Sequence, residues 1–220
     1  MLCKVKRLVD PPKGDADWNK SPWKDIPSEL IQNYMGTKPD HLPKTEVKIA
    51  YDDTAIYVIF RVEDRYVRAV AAEHQDNVCT DSCVEFFFTP NPDVSKGYFN
   101  LEMNCGGTML FHFQSIPWEK DKILIPKSEC NKIKCTHSLP RIIDLEIEEP
   151  ITWTVEYSIP ISLLEKYCQV NTPEPNAIWR VNFYKCADNT SHPHWLTWSP
   201  VDLPSPNFHV PQSFGILEFE

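Results

Sequence analysis

The sequence predicts an all-β fold: an antiparallel β-sandwich, immunoglobulin-like or jelly-roll-like, with one or two short helices. Three observations point there. Large apolar residues recur with period two in several short segments, and turn residues separate them. No strand-like segment alternates with a long helical pattern, as a parallel sheet would require. The chain carries 20 prolines against six glycines in 220 residues, so it is often interrupted by rigid turns. This length suits one sandwich domain spanning residues 1–220.

Residues 1–45 read as irregular, with Pro11, Pro12, Pro22, Pro27, Pro39 and Pro43. A short helix is expected near Ser28–Tyr34, capped by Ser28 with Glu29 in its first turn. From Glu46 the pattern is β. Val47–Tyr51, the turn Asp52-Asp53-Thr54 and the apolar run Ala55–Glu63 read as a hairpin. Cys83–Phe88 is the next strand, stopped by Pro90 and Pro92. In Tyr98–Asn104, Phe99, Leu101 and Met103 face one way, and Asn100, Glu102 and Asn104 the other. Gly106-Gly107 turns the chain into Met109–Phe113. Trp153–Ile159 follows, ended by Pro160, with a short helix expected over Ile161–Tyr167. Trp179–Lys185 and Phe214–Phe219 complete the strands, and the proline-rich 200–211 stretch is a loop.

Composition narrows the partners. The net charge of −9 repels phosphate backbones and anionic lipid, so neither nucleic acid nor a membrane surface is expected. No apolar run approaches the roughly 20 residues of a membrane span, and a soluble protein is expected. The first residues are basic, with no apolar segment behind them. Either Met1 is a native cytoplasmic start or a leader for export has been trimmed. The eight cysteines lack the paired spacing of a structural zinc site. Buried free thiols are expected of them, with Cys130–Cys135 the first pair to test for a bridge.

Specific catalytic signatures are missing: no Gly-x-Ser-x-Gly elbow, no phosphate-cradling glycine loop, no His-Glu-x-x-His. His192-Pro-His194 brings two imidazoles close, as proline-rich loops do by chance. Glu85, between Val84 and Phe86, reads in three ways: a solvated carboxylate, a binding-face acceptor for sugar hydroxyls, or a general acid. The segment Trp195–Pro200 leads into the loop Asn207–Pro211. There an aromatic ring and an imidazole suit the apolar faces and hydroxyl rims of sugars, or Phe208 tucks back onto the sandwich end.

Four segments, in order along the chain, resemble family 9 carbohydrate-binding modules and their relatives, a DOMON-like group. They are Gly14-Asp15-Ala16-Asp17 with Trp23, the Val47–Glu63 hairpin with Val62-Glu63-Asp64 at its end, Asp81–Phe87, and Trp198-Ser199-Pro200 with Phe208–Leu217. The resemblance implies an antiparallel β-sandwich, no catalysis, and sugar gripped between two aromatic rings in a surface groove. It also suggests an origin beside polysaccharide-degrading systems. By this resemblance Cys79 stands where the family has one clamping Trp, and Phe208 at the second clamp position. Glu85 keeps the family's glutamate, Asn100 stands at an arginine position, and Tyr184 at a glutamine position. The expected ligand set is Glu85, Asn100, Asn182, Tyr184, Lys185, Phe208 and His209. Structural calcium, as in some family members, would draw on Asp15 and Asp17, short of the six to eight oxygens it prefers. Three alternatives stay open. One is a protein-interaction module that lost sugar binding with the Trp at Cys79. Another is a haem-binding sandwich with Met103 or Met109 and His112 or His209 as axial ligands. The last is a glycoside hydrolase using Glu85.

Overall fold

The computed structural model describes residues 1–115 and 122–220. In chain order its strands begin with β1 (Leu2–Arg7), β2 (Glu29–Ile31), β3 (Asn33–Tyr34), β4 (Lys44–Tyr51), β5 (Ala55–Asp64) and β6 (Val67–Ala69). Then come β7 (Cys83–Thr89), β8 (Tyr98–Asn104), β9 (Met109–Gln114), β10 (Lys122–Leu124), β11 (Lys134–His137) and β12 (Ile143–Ile147). The last four are β13 (Ile151–Pro160), β14 (Ile178–Cys186), β15 (Trp195–Thr197) and β16 (Gly215–Phe219). Among the described residues two single-turn α-helices, α1 (Lys127–Cys130) and α2 (Ile161–Leu164), interrupt them.

The strands form two leaves of one curled sheet. The first runs β10-β9-β8-β7-β14-β16, and the second β4-β5-β13-β11. β1 joins them: Leu2–Val5 pairs with β16 and Lys6–Arg7 with β4. Both pairings are parallel, so the expected sandwich is not antiparallel throughout. β6 and β12 pair separately.

Between the leaves lies the main core. Val84, Phe86 and Phe88 of β7 pack there with Phe183, Phe60, Trp153 and Trp179. Phe86 stacks on Phe183 at 5.2 Å, and Phe60 meets Phe183 edge-on at 6.2 Å. Such aromatic pairs contribute about 0.5–1.5 kcal/mol beyond their burial.

The hairpin turn is held as its residues predict. The Asp52 carboxylate accepts from Thr54 N (2.7 Å), Ala55 N (2.9 Å) and Tyr57 OH (2.6 Å). Gly107 takes the left-handed conformation at φ 80°, and a side chain at Gly106 would run into the Arg141 carbonyl.

The N-terminal segment differs from expectation. Ser28–Tyr34 is not a helix. Its residues form β2 against β4 and β3 against β15, and Asn33 Nδ2 donates to the carbonyls of Thr197 and Trp198. Free edges on two leaves outweigh a weak helix signal. Residues 14–26 cover the outer face of the second leaf. There Glu156 accepts from Ala16 N (2.7 Å) and Trp23 Nε1 (3.2 Å).

The eight cysteines are free thiols. Cys130 Sγ points to the Ile125 carbonyl (3.7 Å), whereas Cys135 Sγ points to Met103 Sδ (3.3 Å). Among the described residues no helix is long and apolar enough to cross a membrane.

Candidate functional site

The outer face of the first leaf is also buried, and this is where chemistry gathers. Alternation along β7 puts Cys83, Glu85 and Phe87 on that face. The same rule places Tyr98, Asn100, Glu102 and Asn104 of β8, and Asn182, Tyr184 and Cys186 of β14, beside them. Register sets Glu85 directly opposite Glu102 on one side and Tyr184 on the other.

The loop 198–214 is drawn across this face by the sheet itself. β15 and β16 share one edge of β14, at Tyr184–Cys186 and Ile178–Val181 respectively. The chain therefore leaves the sheet beside the middle of β14 and returns there. Asn182 pins its start, donating to the Ser199 carbonyl (2.9 Å) and accepting from Ser199 N (2.8 Å). Tyr184 pins its far end: its hydroxyl donates to the Phe208 carbonyl (3.0 Å), and its ring stacks on Phe208 at 4.1 Å.

Between loop and sheet lies a groove of about 210 Å³, open to solvent. Glu85, Glu102 and Asp188 supply carboxyls to it; Trp195, Phe208 and Phe87 supply rings. Trp195 Nε1 donates to Asp188 Oδ1 (2.8 Å), which fixes the indole at the rim. Among the described lining residues there is no lysine or arginine.

The electrostatics follow from that inventory. Burial pushes the Glu85 carboxyl well above its ordinary range, and the neighbouring Glu102 adds to the effect. Burial also pushes Glu102 up to about 7 and raises Asp188. Glu102 Oε1 accepts from Asn100 Nδ2 (2.9 Å), and Asn100 Oδ1 accepts from Gln114 Nε2 (2.8 Å). His209 Nδ1 takes bonds from Tyr98 OH (2.8 Å) and Gln114 Nε2 (3.2 Å). The Gln114 amide nitrogen can only donate, so this nitrogen accepts, and burial pushes the imidazole down to about 4. The groove floor is thus rich in acceptors backed by a rigid amide network.

Of the expected ligand residues, the structure brings Glu85, Phe208 and His209 to the groove. Asn100, Asn182 and Tyr184 share its face but lie beneath it, where they hold Glu102 and the loop in place. Lys185 is a correction. It follows Tyr184 on a strand and therefore faces the other way. Its ammonium donates to His194 Nε2 (2.8 Å) and lies 3.6 Å from Asp64 Oδ2.

Glu102, Asp188, Trp195 and Asn207 line the groove without having been singled out. Glu102 had a signal, because it alternates with Asn100 on one strand face. Trp195 stood in a segment already noted for its aromatic rings. Asp188 had none, since only the fold brings it under the indole.

The other proposed ligand sets do not assemble. Met103 and Met109 pair across β8 and β9 inside the main core, whereas His112 lies on the opposite face, bonded to Asn100. Asp15 and Asp17 both pair with the Lys20 ammonium, at 3.0 and 2.9 Å. A charge of this chain already sits where calcium would, and the oxygen set does not fit the ion. His192 stacks on Tyr66 at 3.6 Å while His194 holds Lys185, so these imidazoles serve separate contacts.

A larger depression of about 510 Å³ lies by the second leaf, near Gly14, Tyr57 and Glu156. Its carboxylates are committed to Ala16, Trp23, Thr54, Ala55 and Tyr57. The smaller groove brings three carboxyls together with ring faces, and Phe208, at 8% exposure and stacked on Tyr184, tucks back onto the sheet with only part of its ring at the groove.

Comparison with known proteins fits this geometry. The model of carbohydrate-binding family 9 matches residues 17–219. A candidate carbohydrate-binding protein of Bacteroides uniformis is similar at 28% identity, with 100% of this chain and 99% of that chain covered and a TM-score of 0.88. A family 9 module from Caldicellulosiruptor kristjanssonii, in complex with cellotriose, shares the fold at 14% identity and a TM-score of 0.66, covering 100% of this chain and 94% of that one. The corresponding glucose complex gives 15% identity and a TM-score of 0.62, with 100% and 96% coverage. A comparison with curated protein sequences finds no match.

Proposed function

Because the chain belongs to carbohydrate-binding family 9, we propose that it binds carbohydrate, without catalysis, in the groove between the 198–214 loop and the first leaf. The observation that carries this reading is convergence. Two ring faces, Phe208 and Trp195, and three carboxyls, Glu85, Glu102 and Asp188, meet at one open groove. A sugar ring offers apolar C–H faces to the first set and hydroxyl donors to the second.

At about 210 Å³ the groove is smaller than the roughly 300–1,000 Å³ of drug-sized sites. It suits one sugar ring better than a chain segment. The glucose and cellotriose bound by the Caldicellulosiruptor modules make glucose-containing sugars the first ligands to try.

Glu85 and Glu102 do not support hydrolysis. A glycosidase sets its carboxyls on opposite sides of the scissile bond. These two stand side by side on adjacent strands, so a sugar lies over both rather than between them.

Calorimetric titration of glucose, cellotriose and soluble polysaccharides tests the reading. Saturable binding that weakens in Phe208→Ala and Trp195→Ala supports it. No binding across a broad glycan panel, or binding indifferent to both substitutions, overturns it. Release of reducing sugar from a bound polysaccharide would overturn the non-catalytic part.

A further inference from the structure

Cys186 and Glu85 of the groove floor, with Cys83 buried beside them, have a second chemistry. Cys83 and Cys186 are directly opposite across β7 and β14, and Glu85 follows Cys83 on the same face. One donor atom from each lies within 4.8 Å of the other two, and Cys186 Sγ stands 3.1 Å from Glu85 Oε1. All three side chains are buried, at 0%, 1% and 2% exposure for Cys83, Cys186 and Glu85.

We propose that Cys83, Cys186 and Glu85 form a binding site for a zinc-class divalent cation, with its remaining coordination position open to the groove. Tetrahedral zinc with Zn–S near 2.3 Å and Zn–O near 2.0–2.2 Å sets its donors about 3.5–3.8 Å apart. The three donors, all within 4.8 Å of one another and with Cys186 Sγ and Glu85 Oε1 3.1 Å apart, bracket that spacing on paired strands. Two thiolates and one carboxylate suit zinc better than calcium or magnesium, which prefer oxygen, or copper(I), which prefers sulfur alone.

The surroundings favour a cation. Glu102 stands opposite Glu85, and like groups directly opposed across strands repel when charged. No lysine or arginine lines the groove among its described residues; the Lys185 ammonium, on the other face of β14, is the positive charge that acts on Glu85 and Cys83 against a cation. Trp195, Asp188 and the 198–214 loop shield the floor while leaving one side open, as three-ligand zinc sites require. Binding releases the two thiol protons to solvent, together with the proton that Glu85 carries when its carboxyl is neutral, and Glu85 coordinates as the carboxylate. The site stands on these residues whether or not sugar occupies the groove above them.

The test uses the full chain, stripped of metal and held in a non-thiol reductant. Zinc is titrated against a chromophoric chelator, and cadmium is substituted as a spectroscopic probe. One equivalent of zinc, a raised thermal midpoint and a sulfur-to-cadmium charge-transfer band are expected. Cys83→Ser and Cys186→Ser should abolish the band, and Glu85→Gln should weaken zinc binding at least tenfold. Cys168→Ser, away from the groove, should leave both unchanged. If the cysteine variants fail to fold, the cadmium-113 shift of the unaltered chain decides: a two-sulfur, oxygen-completed environment supports the site. No tight equivalent, an all-oxygen or four-sulfur environment, or a band persisting in folded Cys83→Ser and Cys186→Ser overturns it.

Discussion

Two buried polar clusters stand back to back on β14, and they are built to opposite plans. On the core side, Lys185 meets His194 and Asp64, and Asp64 also accepts from His41 Nε2 (2.7 Å), Arg65 N (2.8 Å) and Trp153 Nε1 (3.1 Å). His194 completes the circuit, with its Nδ1 donating to the His192 carbonyl (2.9 Å). Every charge there has its counterpart. On the outer side, Glu85, Glu102 and Asp188 face a cavity with acceptor capacity left over and no lining cation among the described residues. The pKa directions record the contrast: the Lys185 ammonium and the bond from His41 hold Asp64 far below the usual carboxylate range despite its burial, whereas burial pushes Glu85 and Glu102 up. A closed buried network is structure. An open one, with cavity in front of it, costs stability and is what a binding face needs.

The largest expected effect breaks the closed side. Asp64→Asn leaves the Lys185 ammonium buried without its counter-charge and should cost about 3–5 kcal/mol in chemical denaturation. Glu102→Gln on the open side should change stability by less than about 1 kcal/mol, since it removes a carboxyl that burial already disfavours. Equal losses from the two substitutions would erase the distinction.

Acid should act next, through buried imidazoles on both faces of the first leaf. Burial pushes His194 down to about 3 in the folded chain, below the ordinary value near 6.5. As pH falls below about 6.5 the unfolded chain takes up a proton that the folded chain refuses. The contribution of this one group is therefore complete above that value and is lost toward pH 3, approaching about 1.4 kcal/mol per pH unit. His112, also pushed to about 3, adds in the same direction. Asp64, depressed instead, gives up its contribution only as pH falls through and below the ordinary carboxylate range near 3.9. Glu85 and Glu102, both raised, act with the opposite sign as pH rises toward 7. Denaturation midpoints across pH 4–8 are therefore compared for the unaltered chain and His194→Gln; equal slopes in the two would contradict the assignment to His194.

A smaller effect is expected in affinity. Removing the Phe208 ring face uncovers ~50 Å² of apolar sugar surface, or about 1–2 kcal/mol. Phe208→Ala should thus weaken binding about tenfold. Phe208→Tyr keeps the face and should bind nearly as the unaltered chain does.

Legibility in the sequence followed the same division. Period-two alternation located β4, β5, β7, β8, β9, β13, β14 and β16, because each buries at least one face against the core. β1 was missed: Lys4, Lys6 and Arg7 face outward on a strand that joins two leaves, and only tertiary pairing reveals it. β2 and β3 were misread as a helix for the same reason. At the groove, Glu85, Phe208 and His209 were legible from the resemblance. Lys185 should have been separated from Tyr184 by alternation alone, since neighbours on a strand cannot share a face. Asp188 and Trp195 join the groove through a contact seven residues apart in sequence that depends on how the loop folds back. No local pattern encodes that.

The most direct test is nuclear magnetic resonance mapping of the chain titrated with glucose, cellotriose and a library of other oligosaccharides. The account predicts that the Trp195 indole and the amides of Glu85, Glu102, Asp188, Phe208 and His209 shift together and saturate at one concentration. Shifts confined to the second leaf around Tyr57 and Glu156, or no shift with any sugar, would contradict it.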